Sequence, residues 1–120
     1  AVRRTYYTAS QTKIAKRVKE LICSDLSIRY AARDLAERFG VSETSLKNYF
    51  RSVYGCGYAK FQQNIRMKKA AELLTGTEQK IVDIALTVGF VTQAKFGAAF
   101  KAYFGVTPLE YRRQHRLIEI

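Results

Sequence analysis

At 120 residues, 48% of them hydrophobic, the chain has material for one or two small cores, and its formal charge of +11 makes it strongly basic. That balance suits a polyanion such as nucleic acid, and equally a membrane surface or an acidic protein partner. No apolar run approaches the roughly 18 residues of a membrane span, no secretory signal opens the chain, and two cysteines with a single His fall short of a structural zinc site.

The basic excess is shared. Residues 1–57 carry 11 basic and 5 acidic side chains, and residues 58–120 carry 10 and 5. A polyanion can therefore lie along the whole molecule. Cys23 and Cys56 read as reduced thiols of a cytoplasmic protein.

Residues 1–9 show no periodicity and are expected to be a flexible N-terminal segment, with a phosphate-touching arm as the alternative. Ser10 is the expected cap of a first helix whose apolar residues Ile14, Val18, Leu21 and Ile22 fall at helical spacing, leaving Lys13, Lys16, Arg17 and Lys19 on a solvated face. A turn at residues 24–27 leads to a second helix that starts near Ser27 or Ala31 and ends at Phe39, before Gly40. Ser42 then caps a third helix to about Tyr54, with Leu46, Phe50 and Val53 on its buried side. Thr44, Lys47, Asn48 and Arg51 share another face, with Ser45 at its edge, and all of them can hydrogen-bond.

A long helix from Tyr58 to Leu74 follows. Tyr58, Phe61 and Ile65 cluster on one side, while Met67, Ala70, Leu73 and Leu74 cluster roughly half a turn away, as in a connector between two separate cores. Its length of about 25 Å lets modules at its ends reach major-groove segments about 34 Å apart. Arg66, Lys68 and Lys69 are expected on its solvated surface. Residues 75–77 should break it. A fifth helix, Ile81 to Val88, buries Ile81, Ile84, Ala85 and Val88; residues 89–91 turn, and Thr92 caps a sixth helix whose core side is Phe96, Phe100, Tyr103 and Phe104. Gly97 inside that helix costs about 1 kcal/mol against Ala, which close approach to DNA or tight packing on a neighbour would explain. Residues 107–110 form a capping box with Pro108 at the first helical position, opening a short helix before a tail over 114–120.

Two stretches repeat. Leu35-Ala36 and Ile84-Ala85 stand 49 apart, as do Gly40 and Gly89, and from Ser42 and Thr92 onward the offset is 50, through Leu46/Phe96, Phe50/Phe100, Arg51/Lys101 and Gly55/Gly105. Each copy has a small Ala that lets two helices cross, a Gly for a left-handed turn, and a hydroxyl cap on the next helix. That order describes a helix-turn-helix. In such a motif Lys47 can donate to guanine O6 and N7 and Asn48 can pair with adenine N6 and N7, while Arg51, a turn further back, suits phosphate. The equivalent face of the second copy is Gln93, Ala94, Gly97, Ala98 and Lys101, with Lys95 beside it, and only Gln93 and Lys95 could make long-range polar contacts with base edges.

Gly55, Phe61, Ile65, Arg66, Ala70, Leu73 and Leu74, then Ile81, Ile84-Ala85, Gly89-Phe90, Phe96, Phe100-Lys101, Gly105, Pro108 and Tyr111-Arg112, resemble the DNA-binding domain of AraC/XylS-type transcriptional regulators. The resemblance runs from about Ile14 to Arg113. It implies an all-α fold of seven helices in two helix-turn-helix subdomains, over 10–57 and 75–113, joined by a connecting helix over 58–74. By position, base contacts are expected from Thr44, Ser45, Lys47 and Asn48 and from Gln93, Ala94, Lys95, Gly97 and Ala98. Phosphate contacts are expected from Arg29, Arg51, Thr92 and Lys101. Lys80 departs from the usual hydroxyl cap of the fifth helix, and Ala98 from the usual long polar side chain.

The implied partners are double-stranded DNA and RNA polymerase, with no membrane, no cofactor and no metal. The isolated domain is expected to be monomeric. Its start at Ala1 rather than Met points to the C-terminal part of a larger ligand-responsive regulator, dimeric through a preceding domain. No nucleophile–base pair or metal set supports an enzyme. A helical adaptor for an acidic protein and a nonspecific nucleic-acid packaging protein are the remaining rivals.

Overall fold

The computed structural model describes residues 8–116. All regular structure among them is helical: α1 (Ala9–Ser24), α2 (Ala32–Arg38), α3 (Glu43–Tyr54), α4 (Tyr58–Gly76), α5 (Ile81–Thr87), α6 (Gln93–Phe104) and α7 (Pro108–Arg116). The expected seven-helix, all-α architecture is therefore present. Residues 1–7 and 117–120, which hold most of the expected N-terminal segment and C-terminal tail, lie outside the described residues. The chain divides into two compact units between Gln63 and Asn64, within α4.

In the first unit α1 and α2 both pack on α3. Val18 and Ile22 of α1, Leu35 and Ala36 of α2, and Leu46 and Phe50 of α3 make the core, closed by Tyr58 at the start of α4. Phe50 stands at the centre of an aromatic group, 4.7 Å from Tyr54 and 5.1 Å from Phe61 between ring centroids. Such tilted and edge-on pairs add to what burial alone contributes.

The second unit is built the same way. Met67, Ala70 and Leu74 of α4 stand in for the α1 stripe, Ile84, Ala85 and Val88 for α2, and Phe96 and Phe100 for α3. Phe100 lies 4.6 Å from Phe104 and 5.3 Å from Tyr111. Since Tyr54 and Phe104, and Phe61 and Tyr111, are each 50 residues apart, the duplication runs past the helix-turn-helix into the helix that follows it. The beginning of α4 and the beginning of α7 are equivalent parts.

Several local expectations are corrected. Thr8, not Ser10, caps α1: its side chain accepts from the Gln11 backbone at 3.2 Å and the Gln11 side chain accepts from the Thr8 backbone at 2.8 Å. This reciprocal box draws Ala9 and Ser10 into the helix. Of the two expected starts α2 takes the later, with Ala31 as N-cap and Ala32 as first residue, while Asp25 holds Ser27 in a tight turn through the Ser27 backbone N–H and hydroxyl. Those two bonds, the hydroxyl's foremost, hold the Asp25 carboxyl below its ordinary pKa. α4 continues through Thr75 and Gly76, where the Thr75 hydroxyl donates to the Ala71 carbonyl and the Thr77 hydroxyl to that of Leu73. Arg66 is buried rather than solvated, four residues after buried Gln62. Tyr103 is 38% exposed and donates to the Asn64 side chain at 3.1 Å, so it borders the core instead of filling it. Residues 114–116, expected in the tail, continue α7.

Arg112 links α7 to the end of α4. Its guanidinium donates to the carbonyls of Leu74 at 2.9 Å, Thr77 at 3.4 Å and Gln79 at 2.7 Å. These are carbonyls that a helix end and its following turn leave without intrahelical partners. Arg112→Ala removes charge-assisted bonds and is expected to destabilise the second unit by about 2 kcal/mol, read as a lower urea or thermal midpoint; Arg112→Lys should recover part of the loss.

Candidate nucleic-acid interface

Each unit carries a short helix, a tight turn and a capped helix. In the first turn Phe39 N–H donates to the Leu35 carbonyl, Gly40 to Glu37 and Val41 to Ala36, at 3.1, 3.2 and 3.0 Å. In the second, Val88 donates to Ile84, Gly89 to Leu86 and Phe90 to Ala85, at 3.0, 3.2 and 2.9 Å. Gly40 and Gly89 hold φ of 68° and 90° at the same place in this pattern, a region where a side chain is strained. Ala36 and Ala85 are buried at the crossing.

Both following helices have the cap read from sequence. The Ser42 hydroxyl accepts from Ser45 N–H and the Thr92 hydroxyl from Lys95 N–H, each at 3.1 Å. α5 forms although Lys80 gives it no side-chain cap, and α2 likewise starts from Ala31 without one. Both short helices rest on packing rather than on their ends.

On α3 the expected face is assembled as a unit. Thr44, Lys47, Asn48 and Arg51 are exposed and line one concavity of about 390 Å³, with Gly57, Tyr58 and Ala59 on its other side. Ser45 is half-buried at the edge; its oxygen accepts from the Ser42 hydroxyl at 2.8 Å, leaving its own proton free to donate. Lys47 forms an ion pair with Glu43 at 3.1 Å, with both side chains about half exposed, and a pair so wet is released at little cost. The Arg51 guanidinium lies over Gly57, where an added Cβ would come within 3.4 Å of Nη2. Sequence reasoning missed Gly57, Tyr58 and Ala59 as neighbours of this face, because the chain reaches it only after turning at Gly55 and no local signal marks that.

On α6, Gln93, Ala94, Lys95, Ala98 and Lys101 are exposed and Gly97 is half-buried. A Cβ built on Gly97 would meet no atom within 4 Å. Tight packing inside the protein therefore does not explain this glycine. The Thr92 hydroxyl, while accepting its cap bond, keeps a proton to donate. Arg29 is exposed in the segment before α2.

Among the described residues no group of three or more His, Cys, Asp or Glu side chains is placed to hold a metal ion, and no helix is long and apolar enough to cross a membrane. Cys23 is exposed and Cys56 half-buried, both as free thiols.

Residues 35–114 match the family described as a helix-turn-helix domain. The chain is 31% identical over 106 residues to the HTH-type transcriptional activator AarP of Providencia stuartii, covering 88% of this chain and 78% of that protein. Of two further curated relatives it spans 38% and 25% of the length. Among solved structures it is similar to a transcriptional regulator of Chromobacterium violaceum, described as containing an AraC-type DNA-binding domain, with 27% identity and a TM-score of 0.73 over 90% of this chain and 96% of that one. The DNA-binding domain of AdpA shares the fold at a TM-score of 0.78 and 22% identity, over 86% of this chain and 93% of that one. With the family match spanning both turns and both capped helices, this chain belongs to the AraC-type helix-turn-helix transcriptional regulators.

Proposed function

We propose that this domain recognises a specific sequence in double-stranded DNA and so directs transcription, with α3 and α6 as the reading helices. The observation that carries this is the convergence of Thr44, Lys47, Asn48 and Arg51 on one open concavity at the capped end and middle of α3. The pair that Lys47 makes with Glu43 is solvent-exposed and released at little cost, and the four side chains match the donors and acceptors of base edges and phosphates. The AdpA domain was solved in complex with a target DNA, which supports carrying the same ligand class to this chain.

Base contacts are assigned to Thr44, Ser45, Lys47 and Asn48 on α3 and to Gln93, Ala94, Lys95, Gly97 and Ala98 on α6. Phosphate contacts are assigned to Arg29, Arg51, Thr92 and Lys101. For Arg51 the support is its place beside the N-terminal turn of α4, where the positive end of the helix dipole favours an anion at the same spot. For Gly97 it is the empty space a side chain would fill, which leaves the α6 backbone bare for close approach. The two subdomains, 10–57 and 75–113, then occupy successive major-groove segments. The same reading makes the domain a non-enzymatic, cytoplasmic, monomeric module of a larger regulator that works with RNA polymerase.

Selection from random duplexes should yield a preferred site. On that site Lys47→Ala and Asn48→Ala are each expected to cost about 1–3 kcal/mol, with little loss on unrelated DNA. Equal loss on every duplex would move both residues to the phosphate class. Arg51→Ala should instead weaken all duplexes alike and flatten the salt dependence, log K against log salt, by about one phosphate's worth, roughly 0.9. Base substitutions across the site should cost more in the half read by α3 than in the half read by α6; equal penalties would remove the assignment of most discrimination to α3. An adaptor for acidic proteins shows no preferred duplex, and a packaging protein shows the salt slope without the preference.

A further inference from the structure

The two turns differ by one residue, and the hydrogen bonds identify which. Val41 and Phe90 donate to the equivalent carbonyls of Ala36 and Ala85, so the residue without a counterpart is Val91, immediately before the α6 cap. In the first copy the residue before the cap, Val41, is half-buried against the core that contains Leu46, four positions into α3. That is the arrangement of a hydrophobic staple. In the second copy the corresponding duty passes to Phe90, whose ring lies 5.5 Å from that of Phe96. Val91 is thereby pushed out and stands 82% exposed, the most exposed of the large apolar side chains described.

An isolated apolar side chain on a surface is ordinary. Val91 is not isolated in kind: the α6 face that follows it presents Ala94, Gly97 and Ala98, with open space at Gly97. It also sits at the N-terminal end of the reading helix, the end that enters the groove in this motif. A valine offers nothing to a phosphate. The one apolar group that a base edge displays in the major groove is the C5 methyl of thymine.

We propose that Val91 is a specificity-determining residue that packs against a thymine C5 methyl at the edge of the half-site read by α6. This rests on the DNA-binding reading and adds to it a contact made from the turn, outside the reading helix. The inserted residue thus restores to the second copy some of the discrimination that its small helix face gives up.

The test uses the preferred duplex and replaces its thymines one at a time by deoxyuridine, which removes only the methyl group. For the wild-type domain one such replacement in the α6 half-site should weaken binding about fourfold, the equivalent of about 0.8 kcal/mol for one buried methyl. Val91→Ser should bind the thymine duplex about as weakly as the wild type binds the deoxyuridine one, and should be indifferent to the replacement. Its unfolding midpoint should match the wild type, because the side chain is already in water. Wild-type affinity in Val91→Ser, or a deoxyuridine penalty of the same size in both proteins at every thymine, overturns the assignment while leaving DNA recognition intact. A wild-type domain that selects no duplex overturns the DNA-binding reading itself.

Discussion

Phe50 and Phe100 are the two side chains on which the rest depends. Each reading helix is twelve residues long, too short to persist alone in water. Its stability must come from the apolar stripe it buries, and in each unit that stripe ends on a fully buried phenylalanine. The ring is held from its own helix by Tyr54 or Phe104 and from the next helix by Phe61 or Tyr111. A helix-turn-helix by itself supplies only the first of these neighbours. The trailing helix is therefore part of the reading device, because without it the ring of Phe50 or Phe100 loses the aromatic neighbour that closes the core beyond the helices before it.

This requirement explains the make-up of α4. Its first turns, through Tyr58 and Phe61, close the first core, and its later turns, through Met67, Ala70 and Leu74, open the second. One helix supplies the last element of one unit and the first element of the next. Polar contacts follow the same duplication. Gln62 donates to the Tyr30 carbonyl at 3.4 Å, and Arg112, its counterpart 50 residues on, donates to the Gln79 carbonyl at 2.7 Å. In the second unit the contact is charged, and it extends to the end of α4 itself. That is why α4 can run through Thr75 and Gly76, residues that by propensity alone should end it.

What was legible in the sequence was whatever a local rule fixes. Gly40 and Gly89 need a left-handed backbone, Ser42 and Thr92 need only their own helix to act as caps, and the residues at 107–110 form a reciprocal box within four positions. The misses share a different cause. Thr8 and Ser10 are both hydroxyls ahead of the same helix, and Gln11 decides between them only when both halves of the box are weighed. Tyr103 lies at core spacing, yet its hydroxyl is satisfied by Asn64, 39 residues away. Arg66 sits among cationic neighbours in sequence, and burial there is decided by packing that no helical wheel contains. At the candidate interface the α3 side chains could be grouped by period, whereas Gly57, Tyr58 and Ala59 joined them only through the chain's reversal after Gly55.

The duplication is faithful where a side chain caps a helix or fills a core and loose over most of the exposed face of α3 and α6. Across the offset of 50, Ser42 matches Thr92, Leu46 matches Phe96 and Phe50 matches Phe100, but Thr44, Lys47 and Asn48 stand opposite Ala94, Gly97 and Ala98. Packing fixes the first set, since each must cap a helix or fill a core; the second set is under no such constraint. Polar and apolar contacts discriminate by different amounts. A side chain that hydrogen-bonds a base edge leaves a buried group unpaired when the base is wrong, at about 1–3 kcal/mol, whereas a lost methyl contact forfeits only about 0.8 kcal/mol. Two copies of one scaffold can therefore share a fold and still offer unlike chemistry to a base edge. The difference resides in the few exposed positions that folding leaves unconstrained.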